Sequence, residues 1–372
     1  MKYYIIAGEA SGDLHASNLM KEIRLRDKEA EFRCWGGDQM KEQGGVLVKH
    51  YRDLAFMGFT EVLMNIGTII KNIALCKADI ESYHPDAVIL VDYPGFNLRI
   101  AKYAKTNGFP VFYYISPQVW AWKQSRVHKI KRVVDKMFVI LPFEKEFYQT
   151  FDYDVDFVGH PLLDAIDNHS KNKKDFTSFC REHQLSSKPV IAILPGSRKQ
   201  EIAMMLPVML KIRNQFPDYQ FVIAGAPSVD YTFYAAFIKG TDVHFVGNQT
   251  YQLLGHAEAA LVTSGTATLE TALFGVPEVV CYKGGVISYN IARKLVNVKY
   301  ISLVNLIMDD VVVKELIQDD FNEIKIKEEL HKILEGEGRK RMIQKFDILR
   351  QKLGGAGASA KAAGFIQKHL TS

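Results

Sequence analysis

The sequence predicts an α/β protein of two doubly wound, Rossmann-like domains followed by carboxyl-terminal helices. Three observations carry this. Short runs at 87–92, 189–194 and 259–263 are almost continuously apolar, as strands of a parallel sheet covered on both faces must be. Each ends in a turn containing glycine, serine or aspartate and is followed by helical spacing of apolar residues. The pattern restarts after a polar stretch at 167–188, in a chain of 372 residues that is long enough for two domains. The expected division is 1–165, 166–340 and 341–372, the last being helices that pack back or exchange with a second copy.

Composition narrows the class. Apolar residues make up 48 % and charged residues 24 %, and the net charge is +5 from 47 basic and 42 acidic residues. That excess is too small to argue for nucleic acid. Cys34, Cys76, Cys180 and Cys281 are far apart and form no Cys-x-x-Cys pair, so neither a disulfide framework nor a zinc site is expected, and a reduced cytoplasmic setting is the default. The chain opens directly on a strand pattern, without a hydrophobic signal segment, and no stretch reaches 18 apolar residues. A protein that lies on a membrane stays open.

Residues 2–7 form the first strand, Gly8-Glu9-Ala10-Ser11-Gly12-Asp13 the turn, and Leu14, Ala16, Leu19, Met20 and Ile23 recur at helical spacing. The turn is not Gly-x-Gly-x-x-Gly, which argues against a dinucleotide. Glu9 and Asp13 would repel a phosphate and suit hydroxyl groups better. Strands follow at 32–35 and 46–48. The segment 54–70 is apolar on every side and reads either as a buried helix or as a surface for a greasy substrate or a bilayer. The strand at 87–92 ends in Asp92, placing a carboxylate where open α/β sheets keep working groups; an ordinary turn aspartate is the competing reading. After the strand at 109–115 comes an aromatic loop, Ser116-Pro117-Gln118-Val119-Trp120-Ala121-Trp122. Lys123, Arg126, His128, Lys129, Lys131, Arg132 and Lys136 then form a basic run on one expected helix, either a solvated face or a contact for an anionic membrane or an acidic substrate. Strands at 137–141 and 155–158 close the first domain.

In the second domain, Pro195-Gly196-Ser197-Arg198 follows the strand at 189–194. Gly196 and Ser197 offer backbone amides, and Arg198 can reach a phosphate. Strands at 219–224, 243–246, 259–263 and 278–281 alternate with helices. Ser264-Gly265-Thr266 opens the helix that Gly275 and Pro277 close. Unpaired amides and the helix dipole there suit an anion, and Glu270, one turn on, suits ribose hydroxyls; a plain capped turn with Glu270 in solvent is the alternative. Together the two loops fit a nucleotide diphosphate better than either does alone. Asn305 is the polar residue of an expected strand-to-loop junction at 302–307. Residues 309–335 read as mostly helical.

Two alternating α/β domains with a nucleotide site on the second have the outline of two-domain, B-type (GT-B) glycosyltransferases. The closer resemblance is to the lipid-A-disaccharide synthase family, over residues 3 to about 366. It rests on Gly8-Glu9-Ala10-Ser11-Gly12-Asp13, Phe56-Met57-Gly58-Phe59-Thr60-Glu61-Val62, Tyr114-Ile115-Ser116-Pro117-Gln118-Val119-Trp120-Ala121-Trp122, Leu194-Pro195-Gly196-Ser197-Arg198 and Ser264-Gly265-Thr266-Ala267-Thr268-Leu269-Glu270. The aromatic loop, in order with the rest, is its specific part.

The resemblance implies an inverting transfer from UDP-2,3-diacylglucosamine to 2,3-diacylglucosamine 1-phosphate. The products are a β(1→6) disaccharide and UDP, with no metal or other cofactor, at the cytoplasmic face of the inner membrane. It implies Asp92 as general base, Glu9 as a second essential acid, Arg198 and Asn305 near the diphosphate or cleft, and Glu270 on the ribose. It also implies a peripheral contact with an anionic membrane and a homodimer formed through the carboxyl-terminal helices. The chain departs from the family at Gly95, where Asp is usual, and at Val304 and Lys314, where Pro is usual. Rival readings are a UDP-N-acetylglucosamine 2-epimerase-like enzyme and a non-catalytic nucleotide-sugar or lipid-binding protein.

Overall fold

A computed structural model describes residues 1–54, 66–170, 174–285 and 298–371. Two compact units emerge: Met1–Ala165 with Leu353–Ser372, and Ile166–Lys352. In the first, β1 (Lys2–Ala7), β2 (Glu31–Gly36), β3 (Val46–His50), β4 (Ala87–Val91), β5 (Val111–Tyr114), β6 (Lys136–Val139) and β7 (Asp156–Phe157) form one sheet in the order β3-β2-β1-β4-β5-β6-β7. In the second, β8 (Val190–Leu194), β9 (Gln220–Gly225), β10 (His244–Gly247), β11 (Ala257–Thr263), β12 (Glu278–Tyr282) and β13 (Lys314–Ile317) lie in the order β10-β9-β8-β11-β12-β13. Every strand pair is parallel. Strand order reverses between β1 and β4 in one sheet and between β8 and β11 in the other. Ligands of such sheets bind outside the carboxyl ends at these switch points.

The apolar runs are two-sided because alternate residues enter opposite cores. In β4, Val88 and Leu90 pack with Tyr4, Ile6 and Trp35, whereas Ala87, Ile89 and Val91 pack with Tyr3, Ile5 and Leu19. Helix Ala10–Arg26 covers the second of these faces with Ala16, Leu19, Met20 and Ile23, and helix Ala358–Thr371 joins it through Ala358, Ala362, Ala363 and Ile366. The Asp164 carboxylate accepts from the amides of Gly357, Ala358 and Ser359 at 2.5, 3.3 and 2.9 Å. It supplies acceptors that the first turn of that last helix lacks.

Several expectations change. Residues 341–372 do not act as one piece: helix Gly336–Lys352 lies in the second unit, and helix Ala358–Thr371 packs on the first. The basic run occupies a 3₁₀ turn (Gln124–Arg126), a short helix (Val127–Val133) and Lys136 of β6, because Val134 has extended backbone and ends the helix. Residues 303–308 are helical rather than extended, since Ser302 Oγ accepts from the Asn305 amide and caps them. Within 309–335 the structure contains β13, whose Leu316 is buried. The helix after β1 starts at Ala10, so Gly12 and Asp13 lie in its first turn rather than in a loop. Of the apolar segment 54–70, residues 55–65 lie outside the described residues; helix Ile66–Tyr83 follows.

Candidate active site

At the first switch point, Glu9 lies two residues past β1 and Asp92 directly follows β4. Glu9 is the N-cap of helix Ala10–Arg26, with extended backbone. Gly8 precedes it because the Tyr93 ring lies where a side chain would begin: a Cβ on Gly8 would sit 2.3 Å from that ring. Asp92 and Tyr93 both have left-handed backbone, φ 45° and 50°, a conformation costly for residues other than glycine that persists only where its surroundings enforce it. Those surroundings are visible. The Asp92 amide donates to the Tyr114 carbonyl at 3.1 Å, and the Asp92 carbonyl accepts from Tyr113 Oη at 2.5 Å and Asn97 Nδ2 at 2.7 Å. Buried Asn97 also donates to the Val91 carbonyl at 3.2 Å.

The Asp92 carboxyl is only partly open to solvent. Burial, then the Glu9 and Glu144 carboxylates, push its pKa up to about 7. Glu144, fully buried, opens helix Pro142–Gln149. Its Oε1 accepts from Ser116 Oγ at 2.5 Å, and its Oε2 accepts from the Leu141 and Ile140 amides at 2.8 and 3.1 Å. Burial also raises Glu144 to about 7. Asp92 and Glu144 are thus both raised to about 7, and Glu9 and Glu144 are near enough to Asp92 to add to its shift, a pattern typical of acid–base sites.

Asp13 has a different task. It is buried, and its carboxylate accepts from the amides of Gly37, Gln39 and Met40 at 2.7, 3.1 and 3.1 Å, capping helix Asp38–Glu42. In the aromatic loop, Trp120 meets Phe143 edge-on at 5.0 Å. Trp122 is 42 % exposed and carries the Lys123 and Arg126 cations 4.6 and 5.0 Å from its ring centre.

At the second switch point, Gly196 has φ 114°, and Ser197 and Arg198 are exposed at the start of helix Lys199–Met209. Glu201 reaches back to them: its Oε2 accepts from the Ser197 amide at 3.2 Å and its Oε1 from Arg198 Nη1 at 3.1 Å. After β11, Ser264 is anchored by its amide to the Cys281 carbonyl at 3.0 Å and by its hydroxyl to the Ile301 carbonyl at 2.9 Å. Gly265 is the N-cap of helix Thr266–Leu273 and has open space where a side chain would stand, so an anion can approach the backbone there. Thr266 is exposed in the first turn. Gly275, with φ 73°, closes the helix.

Glu270 is not in free solvent. Its Oε1 accepts from Tyr251 Oη at 3.0 Å, and burial raises its pKa. Asn305 is buried with its side chain committed to protein: Nδ2 donates to the Val313 carbonyl and to Glu315, and Oδ1 accepts from the Val312 and Val313 amides. It braces the turn into β13. Among the described residues, no three His, Cys, Asp or Glu side chains converge as a metal site requires, and no helix is long and apolar enough to cross a membrane.

The structure therefore brings Glu9 to Asp92 in one unit. In the other, Gly196, Ser197 and Arg198 end β8, and Ser264, Gly265, Thr266 and Glu270 follow its sheet neighbour β11. Sequence reasoning missed Asn97, Tyr113 and Glu144 around the base, and Tyr251 and Glu201 in the second unit. Glu144 left one signal: Pro142-Phe143-Glu144 places a glutamate at the third position of a helix, where it reaches back to the capping amide.

Comparison with known proteins agrees with this geometry. A family model described as lipid-A-disaccharide synthetase matches residues 3–368. The lipid-A-disaccharide synthase of Syntrophus aciditrophicus is 42 % identical over 367 residues, covering 96 % of this chain and 95 % of that protein. That of Geobacter metallireducens is 38 % identical, covering 98 % and 96 %. Among solved structures, a UDP-GlcNAc 2-epimerase from Neisseria meningitidis bound to UDP-GlcNAc shares the fold at a TM-score of 0.64 and 14 % identity, over the full length of both chains. The glycotransferase of kitacinnamycin shares it at 0.62 and 14 %, covering 99 % and 98 %. The parallel α/β sheets place the chain with B-type glycosyltransferases and 2-epimerases in fold. The sequence matches decide between them: the chain belongs to the lipid-A-disaccharide synthetase family and is a glycosyltransferase of lipid A biosynthesis.

Proposed function

We propose that Asp92 is the general base of a single inverting displacement between UDP-2,3-diacylglucosamine and 2,3-diacylglucosamine 1-phosphate. The family's substrates are a UDP-sugar and a lipid-phosphate acceptor. The observation that carries the residue assignment is the Asp92 carboxyl, held at about 7 at the end of β4 beside Glu9 and Glu144. A base with a pKa near the working pH takes a proton well and is still ionised often enough to act. The acceptor's 6-hydroxyl proton passes to Asp92 as its oxygen bonds to the anomeric carbon. The bond from that carbon to the UDP oxygen breaks, its electron pair leaves with UDP, and the α linkage becomes β. Glu9 keeps Asp92 basic through like charge. Whether Glu9 also holds a sugar hydroxyl is tested by the acceptor KM of Glu9→Gln.

In the second unit, Arg198 with the amides of Gly196 and Ser197, and the helix amino terminus at Ser264, Gly265 and Thr266, stabilise charge developing on the diphosphate. These groups supply the positive potential that a metal ion would otherwise bring, so the transfer is proposed to run without one. Glu270, oriented by Tyr251, receives the ribose hydroxyls. The protein works at the cytoplasmic face of the inner membrane as a peripheral enzyme. Exposed Ile70 and Leu75 on helix Ile66–Tyr83, and Trp122 with its two cations, suit an anionic bilayer surface. A homodimer is proposed as the working form, with exposed Phe365 of the last helix available to a second copy.

The experiment is UDP release from UDP-2,3-diacylglucosamine with and without the acceptor, for the wild type and Asp92→Asn, with the product mass determined. Acceptor-dependent disaccharide that collapses in the variant while donor binding survives supports the assignment. Disaccharide formation unaffected by the substitution removes Asp92 as the base.

A further inference from the structure

The groups assigned above to the donor's diphosphate already hold a carboxylate of the protein itself. Glu201 Oε2 takes the Ser197 amide at 3.2 Å, and Oε1 takes the Arg198 guanidinium at 3.1 Å. The side chain lies directly over residue 196, where an added Cβ would stand 2.8 Å from its Oε2 and 2.9 Å from its Cβ. Ordinary helix capping does not account for this. The helix begins at Lys199 with Arg198 as N-cap, and a glutamate at the third helical position normally accepts from the N-cap amide. Here it passes that amide and engages one residue earlier, together with the arginine side chain. The loop does not depend on Glu201 for its shape, because the Ser197 carbonyl is held separately by Ser228 Oγ at 2.9 Å.

We propose that Glu201 is an internal competitor for the donor's diphosphate, binding the Ser197 amide and Arg198 until the diphosphate displaces it. This rests on the reading that the Gly196–Arg198 loop receives that group. Two anions cannot share these donors at contact distance without strong repulsion. The displaced carboxylate turns to solvent, which its partial exposure allows. The consequence is selectivity: a nucleoside diphosphate has enough charge to evict Glu201, whereas a weakly charged ligand does not, and the arginine stays oriented throughout.

The test is calorimetric titration of the full chain with UDP and, separately, uridine, for the wild type, Glu201→Gln, Glu201→Asp and Arg198→Ala. Exposed ion pairs of this kind compete weakly, so UDP should bind about three- to ten-fold tighter to Glu201→Gln, with uridine affinity unchanged. Glu201→Asp, too short to span both donors, should also bind UDP more tightly and guards against a folding defect in the first variant. UDP affinity unchanged or weakened in both Glu201 variants, with Arg198→Ala weakening it, overturns the competition and leaves the donor site standing. UDP affinity unchanged in Arg198→Ala overturns the loop assignment itself.

Discussion

Replacing Asp92 by Asn should raise stability at neutral pH while removing activity, because the environment that makes the carboxyl a useful base disfavours its charge. The structure moves the group from its ordinary value of 3.8 to about 7. At about 1.4 kcal/mol per pH unit, holding the ionised form above pH 7 costs roughly 4 kcal/mol as a ceiling. Solvent reaches part of the side chain, so about 2 kcal/mol is the working figure. The sign follows from proton counting. Between 3.8 and about 7 the folded protein keeps the proton and the unfolded chain has lost it, so the wild type loses stability as pH rises through that window and stays lower above it. Asparagine has no such proton. The advantage of Asp92→Asn over wild type should therefore widen between pH 4.5 and pH 8, by roughly 4–8 °C in melting temperature for a domain of this size. Differential scanning calorimetry of both proteins at the two pH values reads it. The kcat/KM of the wild type should rise with pH through an apparent pKa near 7, and the variant should lose about 10²- to 10⁴-fold. A stability gap independent of pH, or one that shrinks toward pH 8, refutes the account of a buried, charge-crowded carboxylate.

Three further perturbations test neighbouring parts of the argument. Glu144→Gln removes a like charge near Asp92, while its carbonyl oxygen can still accept from the Leu141 and Ile140 amides and its NH2 can donate to Ser116 Oγ. It should move the acid limb of the kcat/KM profile to lower pH, with stability at neutral pH unchanged or raised because burial already disfavours the Glu144 charge; an unmoved limb denies the coupling. Asp164→Ala strips the acceptor from three amides at the start of the last helix and should cost about 1–2 kcal/mol, seen as faster hydrogen exchange across 358–371. Tyr251→Phe removes the hydrogen bond that orients Glu270. It should weaken donor binding about three- to ten-fold at unchanged kcat; unchanged donor affinity separates Glu270 from the ribose.

What could be read directly from the chain was local. Continuous apolar runs such as Ala87–Val91 and Val190–Leu194 announce parallel strands because a strand buried on both faces has no polar alternation to show. Glycine and serine after those strands mark the turns, and Asp92, Arg198 and Ser264 stand at strand ends because the turns follow directly. The motifs around them, read in order, were enough to name the family. Boundaries were weaker where one side-chain contact decides, as with Ser302 capping a helix where a strand end was expected.

Tertiary structure decided which of those polar residues are available. Asp13 looks like a residue of the first loop in sequence, yet it is spent on backbone amides brought to it by the fold, and Asn305 takes the amides of Val312 and Val313. Asp92 has an ordinary turn aspartate as its competing reading and Glu144 looks like a helix-start carboxylate, yet burial raises both to about 7, and Glu9 and Glu144 add to the shift of Asp92. The difference is physical. Strand and turn character depends on neighbours in sequence, whose spacing the chain carries on its face. The protonation and hydrogen-bonding state of a side chain depends on charges and amides contributed by distant segments, and these meet only once the sheet order has been set.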